Sequence, residues 1–128
     1  MKKNILIIED DDFFRELLRK KFLPEDFNLF EAVNGEKGIK EIKDKKPDLV
    51  LLDLLLPNMD GFEVLVKMKS DPATSSIPVI ILSNLGQQED IERGLKLGAN
   101  DYLIKSQFDI DQIVEKVKNI LEKQDQGA

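Results

Sequence analysis

Short, almost wholly apolar runs alternate along this chain with longer segments in which apolar residues recur at every third or fourth position. Runs of the first kind are typical of strands buried on both faces of a sheet, and segments of the second kind of helices with one buried face. The predicted strands cover residues 5–8, 28–33, 48–52, 79–82 and 101–104. The predicted helices run from Asp11 or Asp12 to Pro24, from the turn at Asn34 to the lysine-rich residues 43–46, over 61–69, over 86–97 with Ile91, Leu95 and Leu97 inward, and from Ile110 to Leu121.

A strand followed by a helix, repeated five times, predicts a parallel sheet with helices on both of its faces. We expect the doubly wound, flavodoxin-like α/β fold, with three αβα layers, five helices and the strand order 2-1-3-4-5. That order places the carboxyl ends of the first and third strands side by side. Glu9, Asp10 and Asp53 should therefore converge, although they are far apart in the sequence, and Ser83 and Lys105 should lie on the same edge.

The third strand carries a single carboxylate, Asp53, inside an otherwise apolar sequence. A carboxylate beside buried apolar groups is costly unless it is paired, hydrogen-bonded or bound to a metal. Pro57, Asn58, Asp60 and Gly61 follow it and mark a turn. Asp53 should therefore face the crevice where open α/β sheets bind ligands, and it is the residue expected to carry the chemistry.

Three carboxylates in one crevice repel one another, and a divalent cation with oxygen ligands relieves that repulsion. Mg²⁺ is the expected ion, because it keeps bound waters and binds phosphate oxygens. Taken alone, the run from Glu9 to Asp12 is better explained as a helix cap and a solvated group of charges. Its expected position beside Asp53 favours the metal site.

Asp53 has two interpretations: a salt bridge to Lys105, or a carboxylate nucleophile that takes a phosphoryl group as an acyl phosphate. Phosphoryl transfer requires mainly positioning and charge neutralisation, and the Lys105 ammonium and Ser83 hydroxyl are candidates to hold phosphoryl oxygens. The alternatives are a surface lysine at a strand end for Lys105 and a helix N-cap for Ser83. Tyr102, if it has no part in the chemistry, would be a residue at the edge of the core with a solvated hydroxyl.

Composition narrows the possible classes of protein. The 128 residues fit one domain, assigned to 1–123, followed by a polar tail at 124–128. A net charge of -6 argues against a general nucleic-acid or anionic-membrane surface, and no apolar run is long enough for a signal peptide or a membrane span. The absence of cysteine excludes thiol chemistry and agrees with a cytoplasmic location, while the absence of histidine excludes a phosphohistidine within this chain.

Several separated motifs agree with one known family in order and spacing. They are Ile7 to Asp11, Pro47 to Asp53 with Pro57 and Met59 to Gly61, Pro78 to Ser83, and Gly98 to Lys105. Over essentially its whole length the chain therefore resembles the receiver domain of bacterial two-component response regulators, the CheY-like family.

The resemblance implies that Asp53 is the phosphoacceptor and that Mg²⁺ is the cofactor. Glu9 and Asp10 are similar to the family's acidic pair, with Asp10 the more direct ligand and the backbone carbonyl of Leu55 as a further ligand. A register with Asp10 and Asp11 as the pair is the alternative, and it fits the strand end less well.

The resemblance also implies a two-state switch. Ser83 and Lys105 are similar to the hydroxyl and the lysine that contact the phosphoryl group. Tyr102 matches the aromatic residue that turns inward when Ser83 moves toward the phosphate. A new charge at Asp53 would then bias a pre-existing equilibrium of the last two strands and the fourth helix.

Partners follow from the same resemblance. The phosphoryl donor is expected to be a sensor histidine kinase or a phosphotransfer protein, and the output a downstream protein target rather than direct contact with nucleic acid or membrane. The chain is expected to be a monomer or weak dimer, and not an enzyme beyond its own phosphorylation and dephosphorylation. Met1 and the polar tail favour a stand-alone regulator over an excised receiver.

Two other functions compete with this one. The first is a pseudo-receiver of the same fold that binds proteins without phosphorylation, against which the complete set of acidic, serine and lysine residues argues. The second is an aspartate-nucleophile phosphatase, which usually needs a second acid at the position of Leu55.

Three departures from the family pattern have consequences. Ser106 stands where a cis-bonded proline is usual, so the Lys105–Ser106 bond is expected to be trans, with a loop remodelled around Gln107. Asn84 replaces a small residue. Leu55 and Leu85 occupy positions that often carry polar groups, so we expect slow autodephosphorylation.

Overall fold

The computed structural model describes residues 2–126 of the chain, in which five strands alternate with five helices. In chain order the elements are β1 (Lys3–Ile8), α1 (Asp12–Phe22), β2 (Phe27–Ala32), α2 (Gly35–Lys45), β3 (Leu49–Leu52), α3 (Gly61–Ser70), β4 (Val79–Ser83), α4 (Gln88–Lys96), β5 (Asp101–Ile104), a 3₁₀ turn (Lys105–Gln107) and α5 (Ile110–Gln126). Every predicted strand and helix is present, and most bounds agree with the expectation to within a few residues.

The strands form one parallel sheet in the order β2-β1-β3-β4-β5, so the predicted fold class is confirmed. Alternate side chains of the central strands point to opposite faces, and both faces are covered, which explains the continuous apolar runs. On one face Ile8, Leu52 and Ile81 pack with residues of α2 and α3. On the other, Ile7 and Leu51 pack with residues of α1 and α5. The sheet is therefore the middle layer of a three-layer αβα arrangement, with one core on each of its faces.

Four helices begin after residues whose side chains accept hydrogen bonds from the first turn; at α5 the Asp109 carboxylate accepts the Gln112 N–H at 2.8 Å. Asp11 accepts from the Phe13 and Phe14 N–H groups at the start of α1. Asn34 caps α2 and Asp60 caps α3 in the same way. Such caps satisfy backbone donors that have no partner within the helix. Asp11 is therefore accounted for structurally, which supports Glu9 and Asp10 as the acidic pair.

The fourth helix differs from its prediction at two points. It begins at Gln88 rather than at residue 86, and no side chain caps it. Leu95, expected to face inward, is 45% exposed, whereas Ile91 and Leu97 do pack against the core. The residue facing the sheet is Gly94, where an added Cβ would lie 3.1 Å from the Tyr102 ring. Leu95 follows it by about 100° of helical rotation and so turns toward solvent.

The carboxyl end of the chain is more regular than the predicted polar tail of residues 124–128. Helix α5 continues to Gln126, and Asp125 accepts a hydrogen bond of 2.8 Å from the Lys3 ammonium. Met1, Gly127 and Ala128 lie outside the described residues. Within the described part, no helix combines the length and apolar character that a membrane crossing requires.

The Lys105–Ser106 peptide bond is trans, as expected for a non-proline residue at this point. The chain leaves β5 directly into the 3₁₀ turn at Lys105–Gln107, none of whose residues is buried. The trans bond is thus confirmed, and the remodelling of this loop relative to the family stays a prediction.

Gly61 lies against the backbone of Asp53 and Leu54, the two residues that follow β3. A Cβ at this position would overlap the Asp53 carbonyl oxygen and lie 2.6 Å from the Leu54 Cα. We expect Gly61→Ala to lower the free energy of unfolding by about 1–3 kcal/mol, because backbone atoms cannot move aside cheaply. Urea unfolding measures this. Gly86→Ala is the control, since its nearest neighbour is the flexible Ile104 side chain at 3.2 Å, and equal losses in both variants would contradict the prediction.

A group of ion pairs fastens α1 to β2. The Glu31 carboxylate accepts hydrogen bonds from Arg19 Nε and Nη2 (2.9 and 2.7 Å) and from Arg15 Nε (3.2 Å). The Arg19 hydrogen bonds are the main influence on the pKa of Glu31 and hold it below its usual value, outweighing partial burial.

We expect Glu31→Gln to cost about 1 kcal/mol of unfolding free energy at pH 7. Because the pKa of Glu31 is lowered in the folded protein, its charge stabilises the fold fully above the unfolded-state value of about 4.3. That stabilisation is lost as the pH falls through the lower folded-state pKa, so wild type and variant should converge in acid. Urea unfolding at a series of pH values measures the difference. Glu16→Gln, which removes an exposed pair with Lys20, should cost less than about 0.5 kcal/mol, and a difference for Glu31→Gln that persists in strong acid would refute the assignment.

Candidate functional site

The ends of β1 and β3 bring the two buried acids together. In the parallel register Ile8 pairs with Leu52, and the Asp53 N–H donates to the Ile8 carbonyl at 3.0 Å. Glu9 and Asp53 therefore leave adjacent strands at the same level, at the carboxyl edge of the sheet. The expected convergence is confirmed, since Glu9, Asp10 and Asp53 offer carboxylate oxygens that all lie within 4.8 Å of one another.

These three acids differ in their surroundings. Glu9 is 3% exposed and Asp53 is 5% exposed, whereas Asp10 lies at the surface. The Glu9 carboxylate accepts the Asp11 N–H at 3.1 Å, and Asp53 Oδ1 accepts the Leu55 N–H at 3.1 Å. Two carboxylates buried at one sheet edge need a positive charge nearby.

Lys105 supplies that charge. Its ammonium donates to Asp53 Oδ2 at 3.0 Å and also to a Glu9 oxygen. The salt bridge that the sequence left open for Asp53 is thus present, but it is shared with Glu9, and the lysine is not a surface residue: its side chain is only 12% exposed. A largely shielded ammonium between two carboxylates is suited to move onto the oxygens of a group attached to either of them.

Burial and the neighbouring charges both shift the pKa values in this cluster. Burial raises the pKa of Glu9 to about 7; the Lys105 hydrogen bond opposes this increase, and the charge of Asp53 adds to it. For Lys105, burial lowers the pKa, but the hydrogen bonds to Glu9 and Asp53 outweigh it, so its pKa is raised and it stays an ammonium. With one ammonium and three carboxylates, the site has an excess of acidic groups that a further cation can balance.

Ser83 is the last residue of β4 and is fully buried, paired in register with Ile104 just before Lys105. Its oxygen accepts a weak hydrogen bond of 3.4 Å from the Leu85 N–H. The alternative role as a helix N-cap is wrong, because α4 begins five residues later. Ser83 therefore lies on the expected edge of the sheet.

Tyr102 is buried at the edge of the core, and its hydroxyl donates to the Leu85 carbonyl, so that hydroxyl has a partner within the protein. Burial is the main cause that raises the pKa of Tyr102 to about 12, followed by the charges of Asp90 and Asp53. The ring packs on the same face of the sheet as Ile81. Tyr102 thus links β5 to the loop that follows Ser83.

Two residues at this edge were missed by sequence reasoning. Arg15 Nη1 donates to the Glu9 carbonyl at 2.9 Å, and the Phe14 ring lies 4.4 Å from the Lys105 ammonium. Phe14 is an apolar residue in the first turn of α1. No sequence signal distinguishes it from the other core positions of that helix, because its contact depends on where β5 ends.

A divalent cation fits the donor set of this edge, because Glu9, Asp10 and Asp53 offer only hard oxygen ligands at mutual distances that one ion can span. The loop after Asp53 lies beside them, since the Leu55 N–H already binds Asp53. The Leu55 carbonyl as a further ligand stays a prediction.

Comparison with known proteins identifies the family of this chain. The sequence model of the response regulator receiver domain matches residues 5–118. Sporulation initiation phosphotransferase F of Bacillus subtilis is 39% identical over 121 residues, covering 94% of this chain and 95% of that protein. The crystal structure of a CheY-like response regulator receiver domain protein from Methanospirillum hungatei superposes with a TM-score of 0.93 at 25% identity, covering 100% of both chains.

Other relatives are longer. The DNA-binding dual master transcriptional regulator RpaA of Synechocystis is 38% identical over 121 residues, which cover 94% of this chain and 50% of that protein. The chain therefore spans about half the length of some curated relatives that it matches. On its sequence, its sheet order and the residues gathered at the sheet edge, this chain belongs to the family of response regulator receiver domains of two-component systems.

Proposed function

We propose that this receiver takes a phosphoryl group on Asp53 from a phosphohistidine of a sensor histidine kinase or phosphotransfer protein, and then changes conformation to control a downstream protein. One observation carries the proposal: a buried Asp53 carboxylate faces both the Lys105 ammonium and two further acids. Family membership supports it. The phosphohistidine lies outside these 128 residues, because they contain no histidine. We place this exchange in the cytoplasm.

Glu9, Asp10 and Asp53 would hold Mg²⁺, with the Leu55 carbonyl as a further ligand. When bound, the ion supplies positive charge to a phosphoryl oxygen and offsets the repulsion among the carboxylates. The pairing of Glu9 with Lys105 means that the ammonium must release Glu9 when that carboxylate turns to a cation.

The chemistry at Asp53 is a substitution at phosphorus. A carboxylate oxygen of Asp53 forms a bond to phosphorus while the bond between phosphorus and the donor's imidazole nitrogen breaks, and the electron pair leaves with the imidazole. The Lys105 ammonium follows the transferred charge from Asp53 Oδ2 to a phosphoryl oxygen. Ser83 is proposed to donate its hydroxyl to another.

The change in conformation is proposed to run through Ser83 and Tyr102. Their segments are already joined, because both the Ser83 oxygen and the Tyr102 hydroxyl bind the backbone of Leu85. Movement of Ser83 toward a phosphoryl oxygen would shift Leu85 and release or redirect Tyr102. Helix α4 is suited to follow, since only Gly94 of its nine residues is buried. The protein acts on no separate metabolite.

The proposal is tested by trapping the phosphoryl state. We expect beryllofluoride with Mg²⁺ to shift backbone NMR signals near Asp53, Ser83 and Tyr102, and acetyl phosphate with Mg²⁺ to add the mass of one phosphoryl group. Neither should occur when the metal is chelated. A chain silent in both experiments would instead be a pseudo-receiver that docks without phosphorylation, and the proposal would be wrong.

Slow loss of the phosphoryl group is a further expected result. Leu55 is 52% exposed at the rim of the site and Leu85 is half-buried, so two apolar side chains stand beside the approach for hydrolytic water. We expect the phosphorylated protein to last many minutes, and Leu55→Gln to shorten that lifetime several-fold. Mass spectrometry after removal of acetyl phosphate measures both. A wild-type lifetime of seconds would contradict the prediction, and Leu23→Gln, at an exposed residue that follows the last turn of α1, is the control.

A further inference from the structure

The Lys105 ammonium has a third neighbour besides its two carboxylates. The ring of Phe14, in the first turn of α1, lies with its centroid 4.4 Å from the Lys105 nitrogen. A cation at this distance from an aromatic face is attracted by the ring's quadrupole. Phe14 is half-buried and packs with the core between α1, α5 and the sheet.

We propose that Phe14 is a positioning residue for phosphoryl transfer, whose ring holds the Lys105 ammonium over Asp53 while the carboxylates exchange partners. The inference rests on the proposed function of Asp53. The inference adds Phe14 to the proposed mechanism: its aromatic face, rather than its bulk, sets the rate of phosphoryl transfer.

The other two partners of the Lys105 ammonium, Asp53 and Glu9, both change during phosphoryl transfer. Asp53 loses a negative oxygen to the bond with phosphorus, and Glu9 would turn toward a bound cation, so neither carboxylate keeps its present contact with Lys105. The Phe14 ring changes neither its charge nor its bonding. Of these three neighbours, the Phe14 ring is the one that can keep its contact with the Lys105 ammonium throughout the reaction.

The first turn of α1, which carries the ring, is tied to the site by hydrogen bonds. Asp11 caps the helix at the Phe14 N–H (3.2 Å), and Arg15 ties the same turn to the Glu9 carbonyl at 2.9 Å. Lys105, by contrast, begins a three-residue turn without a buried member. A long side chain leaving such a turn has many rotamers, and an aromatic face reduces their number.

The test compares side chains of similar bulk with and without an aromatic face. The rate of phosphorylation by acetyl phosphate, at saturating Mg²⁺, is measured for wild type, Phe14→Leu and Phe14→Tyr. We expect Phe14→Leu to lower the maximal rate roughly three- to tenfold, and Phe14→Tyr to retain it. The acetyl phosphate concentration at half-maximal rate should change less than the maximal rate, because the ring acts on Lys105 rather than on the donor.

Phe27→Leu is the matched control. Phe27 packs in the same core but starts β2, at the opposite end of the sheet. Phe27→Leu should lower the free energy of unfolding without lowering the rate of phosphorylation. Trifluorinated phenylalanine at position 14, which keeps the ring's shape and removes its negative face, should reproduce the slow rate even if Phe14→Leu folds poorly.

Two results would overturn the inference alone: a wild-type rate with the fluorinated ring, or equal rates for Phe14→Leu and Phe27→Leu. If the wild-type protein takes up no phosphoryl group at all, the proposed function fails and the inference fails with it. That outcome is recognisable, because every variant would then be silent.

Discussion

Asp53→Asn should abolish Mg²⁺-dependent phosphoryl uptake from acetyl phosphate while leaving the protein folded. An amide at this position is not a nucleophile toward phosphorus and does not add the negative charge that a cation requires. The change also removes one of the two carboxylates buried beside Lys105, which relieves repulsion with Glu9. The unfolding midpoint in urea should therefore stay near the wild-type value, and intact-protein mass spectrometry should show no added phosphoryl group.

Asp60→Asn provides the matched control in the same loop region. Asp60 caps α3 by accepting the Glu63 N–H at 3.0 Å, a role that asparagine performs about equally well. Its uptake of the phosphoryl group should match that of the wild type. Persistent modification in Asp53→Asn would show that another side chain is the acceptor, and the proposed mechanism would then be wrong.

The second large effect is expected for Lys105→Met, which keeps the length of the side chain and removes its charge. Phosphorylation by acetyl phosphate should slow by about 10²-fold or more, because no ammonium remains to meet the transferred charge. Binding of Mg²⁺ should persist or tighten, since the competitor for Glu9 and Asp53 is gone. Quench-flow phosphorylation measures the first effect, and isothermal titration with Mg²⁺ measures the second.

The same variant should be unstable when the metal is chelated. Removal of the cation leaves Glu9 and Asp53 buried and unpaired, at a cost of about 3 kcal/mol, which added Mg²⁺ should largely restore. Lys116→Met is the control, because this exposed lysine pairs loosely with Asp101 at 3.9 Å. Loss of Mg²⁺ binding in Lys105→Met would argue against the assignment of these acids as ligands.

Much of the fold could be read from local patterns. The apolar runs predicted all five strands, because side chains of central strands in a parallel sheet are buried on both faces. Helix starts followed from capping residues such as Asp11 and Asn34. The inward placement of Leu95 was wrong, since the spacing of apolar residues alone did not reveal that Gly94 faces the sheet.

The site was predictable as a set of residues, but less so as a network of contacts. Register and strand order bring Glu9 beside Asp53, and both follow from the strand and helix order. The sequence left open whether Lys105 was a surface residue, whether it bound Asp53, and whether Ser83 capped a helix. Only packing excludes the first and the last of these, and it adds Glu9 as a second partner of the lysine.

By itself, the sequence determined the order of the elements, the parallel sheet and the acidic, hydroxyl and ammonium groups at its carboxyl edge, because short-range periodicity and strand-end position are local properties. The tertiary structure alone decided which of those groups touch. Lys105 meets Asp53 across 52 residues and Glu9 across 96, and the Phe14 ring lies over its ammonium. Contacts over such separations depend on how two helices and a turn pack on the sheet, to within a few ångströms. Local sequence patterns do not determine packing at that precision.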